Sequence, residues 1–153
     1  SLGLVGSEMC IRDRFYMYNS ILLAVDGSEN SLRSAKEVLN FIGEQTIVTI
    51  LTIVDVDESK SDVLHGKQGK SLTNEREEKL SYITEVFIEN NVKYEVKIAH
   101  GIPAEKVVEV ANSGDYQAVI LGSRGLNSLQ EMVLGSVSHK VAKRSEIPVI
   151  IVK

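Results

Sequence analysis

Short runs of apolar, β-branched residues alternate with segments of helical period along most of this chain. The run at residues 20–25 reads SILLAV and ends at Asp26, and the run at residues 46–54 reads TIVTILTIV. Between them, apolar residues recur at steps of three and four, as they do on one face of a helix. Strands that are apolar throughout are buried on both faces, and their alternation with helices is typical of βα units around a parallel sheet. The pattern therefore predicts an α/β fold.

The same pattern predicts five strands and the helices between them. The predicted strands are residues 20–25, 46–54, 93–99, 116–121 and 147–152. The first helix is predicted to begin at an N-cap, Ser28 or Asn30, and to stop at Gly43. Its apolar positions are Leu32, Ala35, Val38, Leu39 and Ile42. An apolar stripe at residues 80–87 predicts a helix that ends near residues 90–91, and further helices are predicted from Pro103 to about residue 111 and from about residue 134 to 144. Residues 55–70 hold no period and predict an exposed loop.

Composition narrows the classes of protein to consider. The chain has 153 residues, which suits one domain, and its formal net charge is −4. No excess of basic residues favours binding to nucleic acid, and no apolar run reaches the roughly 20 residues needed to span a bilayer. A single cysteine, Cys10, cannot form an internal disulfide. A cytoplasmic location without nucleic acid or membrane partners is therefore expected.

The first 16 residues are expected to lie outside the domain. Their sequence, SLGLVGSEMCIRDRFY, has neither a helical nor a strand period. Residues 4–13 resemble the translation of a common transposon-based sequencing adapter, which makes Met17 the predicted native start. A natural disordered extension is the alternative. The predicted organisation is thus a non-native or disordered segment at residues 1–16 and a single domain at residues 17–153.

Two glycine-containing segments lie where the fourth strand leads to the last helix. The sequence GSRG at residues 122–125 follows the strand directly, and GSVS at residues 135–138 opens the helix. Glycine lets a backbone approach a ligand closely, and the free amides at a helix start favour an anion. The hydroxyls of Ser136 and Ser138 and the guanidinium of Arg124 can bind phosphate oxygens. These segments predict a phosphate site, while glycines that serve only as turn and cap residues are the alternative.

The spacing of these residues resembles the nucleotide-binding branch of the universal stress protein family. That pattern is glycine, two residues, glycine, nine residues, then glycine and a hydroxyl residue, here Gly122, Gly125, Gly135 and Ser136. Three further segments are similar to the family in the same order, namely ILLAVDGSENS, GIPAEKVVEVA and IPVIIVK. The resemblance covers nearly all of residues 18–153.

The resemblance implies a three-layer, open, parallel, Rossmann-like sheet of five strands in the order 3-2-1-4-5, with ATP across the carboxyl ends of strands one and four. That place is also the switch point at which open α/β sheets bind ligands. The residues implied on the adenine and ribose side are Ala24, Asp26 and Val54. Those implied at the ribose and α-phosphate are Gly122, Arg124 and Gly125. Those implied at the outer phosphates are Gly135, Ser136, Val137 and Ser138.

The role of Asp26 stays open at this point. Its carboxylate can contact the nucleoside, act through a phosphate-bound Mg²⁺, or cap the first helix. No metal ligand set is predicted otherwise, since His65, His100 and His139 are scattered along the chain. Gly69-Lys70-Ser71 lacks both the upstream glycine and the preceding strand of a Walker A loop, so it is not interpreted as a phosphate site.

The function expected from this site is binding of ATP, with Mg²⁺, by a regulatory stress-response protein. No catalytic residue is predicted, because no base is identified beside the phosphate residues. A slow ATPase or a nucleotidyl-transfer enzyme using the same site is the alternative, and a scaffold with vestigial nucleotide affinity is a third. A strand order of 3-2-1-4-5 leaves the apolar strand at residues 147–152 on a sheet edge, which predicts a homodimer through that strand.

Overall fold

The computed structural model describes residues 17–56, 69–124 and 134–153, and for residues 69–73, 75 and 76 it describes the backbone alone. Strands and helices alternate through these ranges. In chain order they are β1 (Tyr18–Val25), α1 (Glu29–Val38), β2 (Ile42–Val54), α2 (Gly69–Glu89), β3 (Lys93–His100), α3 (Pro103–Ala111), β4 (Ala118–Gly122), α4 (Ser136–Arg144) and β5 (Val149–Val152). The predicted α/β class is confirmed.

The strands form one parallel sheet in the order β3-β2-β1-β4-β5, as expected. The central strand is β1, where Leu23 is paired with Ile50 on one side and with Ile120 on the other. From β1 the chain builds outward through β2 and β3, and it then crosses to the other side of β1 to add β4 and β5. The direction of winding therefore reverses between β1 and β4, which makes their carboxyl ends the switch point of the sheet.

Helices cover both faces of the sheet. On one face, Ile21 and Leu23 of β1 pack with α1 and α2, whose fully buried Phe87 is the largest side chain of that core. On the other face, Leu22 and Ala24 pack with α3 and α4. Successive residues of β1 thus point to opposite cores, which is why the strand is apolar throughout. The result is the three-layer arrangement that the family resemblance implies.

The end of α1 differs from the prediction. The helix ends at Val38, and Gly43 is not its stop, because β2 already begins at Ile42. A turn closed by the Phe41 N–H to the Val38 carbonyl (2.9 Å) brings the chain back toward the sheet. Leu39 and Ile42 pack against the same core as the helix. Their apolar character therefore fits either a longer helix or a tight turn into a strand, and the period alone could not separate the two.

The start of α2 also differs from the prediction. The helix begins at Gly69, so the last two residues of the predicted loop at 55–70 are helical, and residues 57–68 lie outside the described ranges.

Pro103 does begin α3, as predicted, with Ile102 as the N-cap residue. The last strand is shorter than expected and starts at Val149 instead of residue 147. No helix in the described ranges combines the length and apolarity that a bilayer crossing requires.

Candidate nucleotide site

The carboxyl ends of β1 and β4 lie side by side at the switch point. Ala24 of β1 is paired in parallel register with Leu121 of β4. One or two residues further along each strand come Asp26 and Gly122, so the sheet brings these two predicted residues to one edge. The β1–α1 turn and the β4–α4 connection both start here, and the candidate site is the region between these two segments.

Asp26 organises the β1–α1 turn. Its Oδ1 accepts hydrogen bonds from the Ser28 N–H (3.0 Å) and the Ser31 hydroxyl (2.8 Å), and its own N–H donates to the Ser31 Oγ (3.0 Å). Ser28 is the N-cap residue of α1 but makes no side-chain capping bond, so the Asp26 carboxylate satisfies the start of the helix. Oδ2 has no hydrogen-bond partner among the described residues, and Asp26 is exposed. One carboxylate oxygen is therefore structural, and the other is available to a ligand.

Two further features of this turn lie next to Asp26. Gly27 has a φ of +80°, in the region that favours glycine, and the aliphatic part of Lys79 from α2 passes over it. The Lys79 Cδ lies 3.0 Å from the point where a Cβ on Gly27 would be. The Oγ of Ser28 is buried and has no hydrogen-bond partner within the described ranges. An unsatisfied hydroxyl beside the site is a donor that a bound ligand would satisfy.

Gly122, at the end of β4, is in close contact with α1. A Cβ at this position would lie 2.9 Å from the Cβ of Asn30, a distance that real Cβ atoms do not reach. The amide Nδ2 of Asn30 donates to the carbonyl of Arg124 at 3.0 Å. The first turn of α1 therefore contacts the backbone directly after β4, and Gly122 is required for packing whether or not a ligand also approaches it.

Ser123 joins the end of β4 to the start of α4. Its carbonyl accepts the Gly135 N–H (2.8 Å) and the Ser138 hydroxyl (3.1 Å), and its own N–H donates to the Val152 carbonyl (2.8 Å). A Cβ on Gly135 would lie 3.3 Å from the same carbonyl. These contacts clamp the two ends of the connection whose residues 125–133 lie outside the described ranges, and they hold the first turn of α4 at the candidate site.

The start of α4 has the features of an anion site. Its N-cap residue, Gly135, has no side chain with which to cap the helix, and the first turn contains no acidic residue. The His139 N–H donates to the Gly135 carbonyl (2.9 Å), and the amides of residues 136–138 come before this first turn of the i to i−4 hydrogen-bond ladder. Lys143 and Arg144 occupy the last turn, as the helix dipole favours. The positive end of the helix dipole therefore has no acidic side chain of its own first turn beside it.

The structure brings most of the predicted residues to this edge, in different environments. Ser136 is exposed, Val137 is half-buried, and Ser138 is buried with its hydroxyl donated to backbone carbonyls. Ala24 and Val54 are buried near the ends of β1 and β2. Gly125 lies outside the described residues. Whether each of these positions contacts a nucleotide stays a prediction.

Sequence reasoning missed three residues that build the site, namely Asn30, Ser31 and Ser123. Each acts through a hydrogen bond to a backbone or side chain at the opposite side of a turn or in another element. The sequence predicts Asn30 only as a possible N-cap of α1. No local pattern could have revealed its bond to Arg124, because the two residues are 94 positions apart in the chain.

Known proteins with this fold define the class of the chain. The profile of the universal stress protein family matches residues 17–153. The universal stress protein MJ0531 of Methanocaldococcus jannaschii is 30% identical over 147 residues, which cover 94% of this chain and 86% of that protein. The solved structure of MJ0577, described as a hypothetical protein whose biochemical function was assigned from its structure, is 33% identical with a TM-score of 0.79, covering 90% of this chain and 96% of that one. The chain belongs to the universal stress protein family.

Two more distant structures of the same family contain nucleotides. One is a universal stress protein in complex with cAMP, 22% identical with a TM-score of 0.63, covering 89% of this chain and 97% of that one. The other is a family protein from Arabidopsis thaliana with AMP bound, 19% identical with a TM-score of 0.60, covering 88% of this chain and 90% of that one. At this level of identity the likeness to the present chain is one of fold.

Proposed function

We propose that this chain is a cytoplasmic, ATP-binding universal stress protein that acts as a nucleotide-dependent regulatory dimer. The observation that carries the proposal is the convergence of Asp26, Gly122 and the start of α4 at the switch point of the sheet. Open α/β sheets bind their ligands at this place, and a helix start without acidic residues attracts a phosphate group. The AMP and cAMP complexes of related folds support an adenine nucleotide as the ligand.

The proposed arrangement follows the geometry of the edge. The exposed Ser136 and the first amides of α4 bind the outer phosphates, and the Gly122 and Arg124 region binds the ribose and α-phosphate. Asp26, with one carboxylate oxygen left over, faces the nucleoside or a phosphate-bound Mg²⁺. No group of three or more His, Cys, Asp or Glu side chains suited to a metal occurs in the described part of the chain. Mg²⁺ would therefore be held mainly by phosphate oxygens and water, as is usual for this ion.

Binding is tested by calorimetric titration of the purified protein with ATP, ADP, AMP, cAMP and adenosine, with and without Mg²⁺. We expect ATP to bind more tightly than AMP, because the start of α4 adds contacts to the outer phosphates. Mass spectrometry of nucleotides released by denaturing freshly isolated protein checks the ligand taken from the cell. Absence of binding by every adenine nucleotide at millimolar concentration would refute the proposal.

A regulatory role is distinguished from turnover by its products. The protein is incubated for many hours with ATP and Mg²⁺, and phosphate and pyrophosphate are measured against a protein-free blank. A regulatory binding protein leaves the ATP intact. Release of phosphate would identify a slow ATPase, and release of pyrophosphate would identify nucleotidyl transfer; either result replaces the regulatory proposal with an enzymatic one that uses the same site.

The dimer is proposed from the edge strand β5. This strand pairs with β4 on one side, and its residues are only half-buried within the chain. An apolar edge strand exposes backbone donors and acceptors that attract another strand. Pairing with the β5 of a second copy across a twofold axis satisfies them in a closed dimer.

A further inference from the structure

Asn30 connects two parts of the candidate site that are far apart in sequence. It is the second residue of α1, and its Nδ2 donates to the carbonyl of Arg124 at 3.0 Å, across 94 residues of chain. Its backbone carbonyl accepts the hydroxyl of the buried Ser34 at 2.7 Å. The residue is therefore anchored to α1 by its main chain and reaches the β4–α4 connection with its side chain.

The side chain of Asn30 is not needed to start the helix that carries it. The N-cap position belongs to Ser28, and the Asp26 carboxylate bonds the first turn. The close contact of Asn30 with Gly122 is made by its Cβ and its backbone carbon, not by its amide group. The amide group beyond that Cβ donates a hydrogen bond to a distant part of the chain, the carbonyl of Arg124. Its role is thus separable from the packing of α1 on the sheet.

The bond fixes the direction in which the chain leaves β4. A hydrogen bond to the Arg124 carbonyl sets the orientation of that peptide relative to α1. Ser123, the preceding residue, is fixed by its bonds to Val152 and Gly135. With both residues held, the backbone between Gly122 and Arg124 is preorganised before a ligand arrives, which lowers the ordering cost of binding.

We propose that Asn30 is a positioning residue, which holds the Gly122–Arg124 backbone in the geometry that receives the ribose and α-phosphate of a nucleotide. This inference rests on the proposed nucleotide function and adds a residue to it. It assigns to Asn30 a part of the site that AMP, ADP and ATP share. Loss of the amide therefore weakens all three nucleotides by the same factor, whereas loss of a contact to the outer phosphates weakens ATP most.

The test uses Asn30→Ala, which keeps the Cβ against Gly122 and removes the amide. The matched control is Asn90→Ala. Asn90 also donates its Nδ2 to a backbone carbonyl, that of Val86 at 2.7 Å, but it does so at the end of α2, next to the start of β3 and away from the carboxyl ends of the strands. AMP, ADP and ATP are titrated into the wild type and both variants, and hydrogen exchange of the residue 123 and 124 amides is followed without nucleotide.

We expect Asn30→Ala to weaken AMP, ADP and ATP equally, by about 3- to 10-fold, the range that one neutral hydrogen bond is worth. Exchange at residues 123 and 124 should be several-fold faster in this variant and unchanged in Asn90→Ala. If the wild type binds nucleotides and Asn30→Ala binds them equally well, the inference is overturned and the proposed function stands. A loss confined to ATP, an equal loss in the control, or a variant that does not fold also overturns it. A wild type that binds no nucleotide refutes the proposed function itself.

Discussion

At the scale of single residues, some glycines and serines of the candidate site are needed for packing, and others are exposed. Gly122 and Gly135 are glycines for packing, because a Cβ at either position would crowd Asn30 or the Ser123 carbonyl. Ser138 is likewise turned inward, with 2% of its surface exposed and its hydroxyl on backbone carbonyls. Ser136 is exposed at the start of α4. The motif therefore contains residues that the packing requires, namely Gly122, Gly135 and Ser138, and one exposed residue, Ser136.

Replacing Gly122 by alanine tests the packing role. The added Cβ would lie 2.9 Å from the Cβ of Asn30, so α1 must shift, and we expect Gly122→Ala to lower the free energy of unfolding by about 1–3 kcal/mol. Gly43→Ala is the control. Among the described residues its new Cβ would meet the Met17 side chain at 3.6 Å, an ordinary contact distance, so the free energy of unfolding should change by less than about 1 kcal/mol. Urea denaturation measures both. Equal effects would contradict the packing role.

The two serines of α4 should separate stability from affinity. Ser138→Ala removes a buried hydrogen bond and should cost about 1 kcal/mol of unfolding free energy. Ser136→Ala alters an exposed side chain and should change stability by less than about 0.5 kcal/mol. If Ser136 binds an outer phosphate, its loss weakens ATP about tenfold and leaves AMP unaffected. Denaturation and calorimetry on both variants decide, and an unchanged ratio of ATP to AMP affinity in Ser136→Ala would exclude that contact.

The sequence predicted which residues gather at the site better than what each one does there. The sequence predicted that Asp26, Gly122 and Gly135 lie at the switch point, and the structure brings all three to that edge of the sheet. That a nucleotide binds there stays a prediction. The internal engagement of Ser138 and the bond from Asn30 to Arg124 depend on how distant elements are brought together. A linear pattern holds no information about such contacts, so these could be read only from the structure.

At the scale of elements, the apolar pattern predicted the interiors of helices and strands and failed at their ends. The α1–β2 turn was misjudged because Leu39 and Ile42 face one core in either conformation. The sequence does not predict the first turns of α2, because residues 69–79 are polar except for Leu72 and the apolar stripe starts only at Leu80. Element ends depend on capping and turns, which a period of buried residues does not specify.

Helix α2 offers a direct test of its orientation through two neighbouring residues. Phe87 is fully buried against the sheet, whereas 61% of the surface of Ile88 is exposed. We expect Phe87→Ala to lower the free energy of unfolding by about 3–5 kcal/mol, because it leaves a cavity in the core. Ile88→Ala should change it by less than about 0.5 kcal/mol. Thermal or chemical denaturation measures the difference, and comparable losses would mean that the helix is rotated about its axis.

At the scale of the whole molecule, the parallel α/β class followed from the sequence pattern, whereas the strand order was implied by the family resemblance. That order matters for self-association because it puts β5 at an edge. We expect the wild type to sediment at twice its mass of 16.9 kDa and Ile151→Lys or Val149→Lys to be monomeric or insoluble.

The matched control for the dimer is Ile88→Lys, which places the same charge on the exposed face of α2. Sedimentation velocity at several concentrations compares the variants. A soluble Ile151→Lys protein with an undiminished dimer mass would show that β5 is not the interface, and dissociation of the control would place the contact on α2.

The hydrogen bond from Asn30 to Arg124 joins residues that are 94 positions apart in the chain, so the two sides of the candidate site meet only in the folded domain. If a nucleotide binds between these two residues as proposed, it binds the folded domain and not the unfolded chain. Ligand binding then shifts the equilibrium between folded and unfolded chain toward the folded state. At a free ligand concentration one hundred times the dissociation constant, the free energy of unfolding rises by about 2.7 kcal/mol. The melting temperature of the protein would in this way report the nucleotide supply of its surroundings.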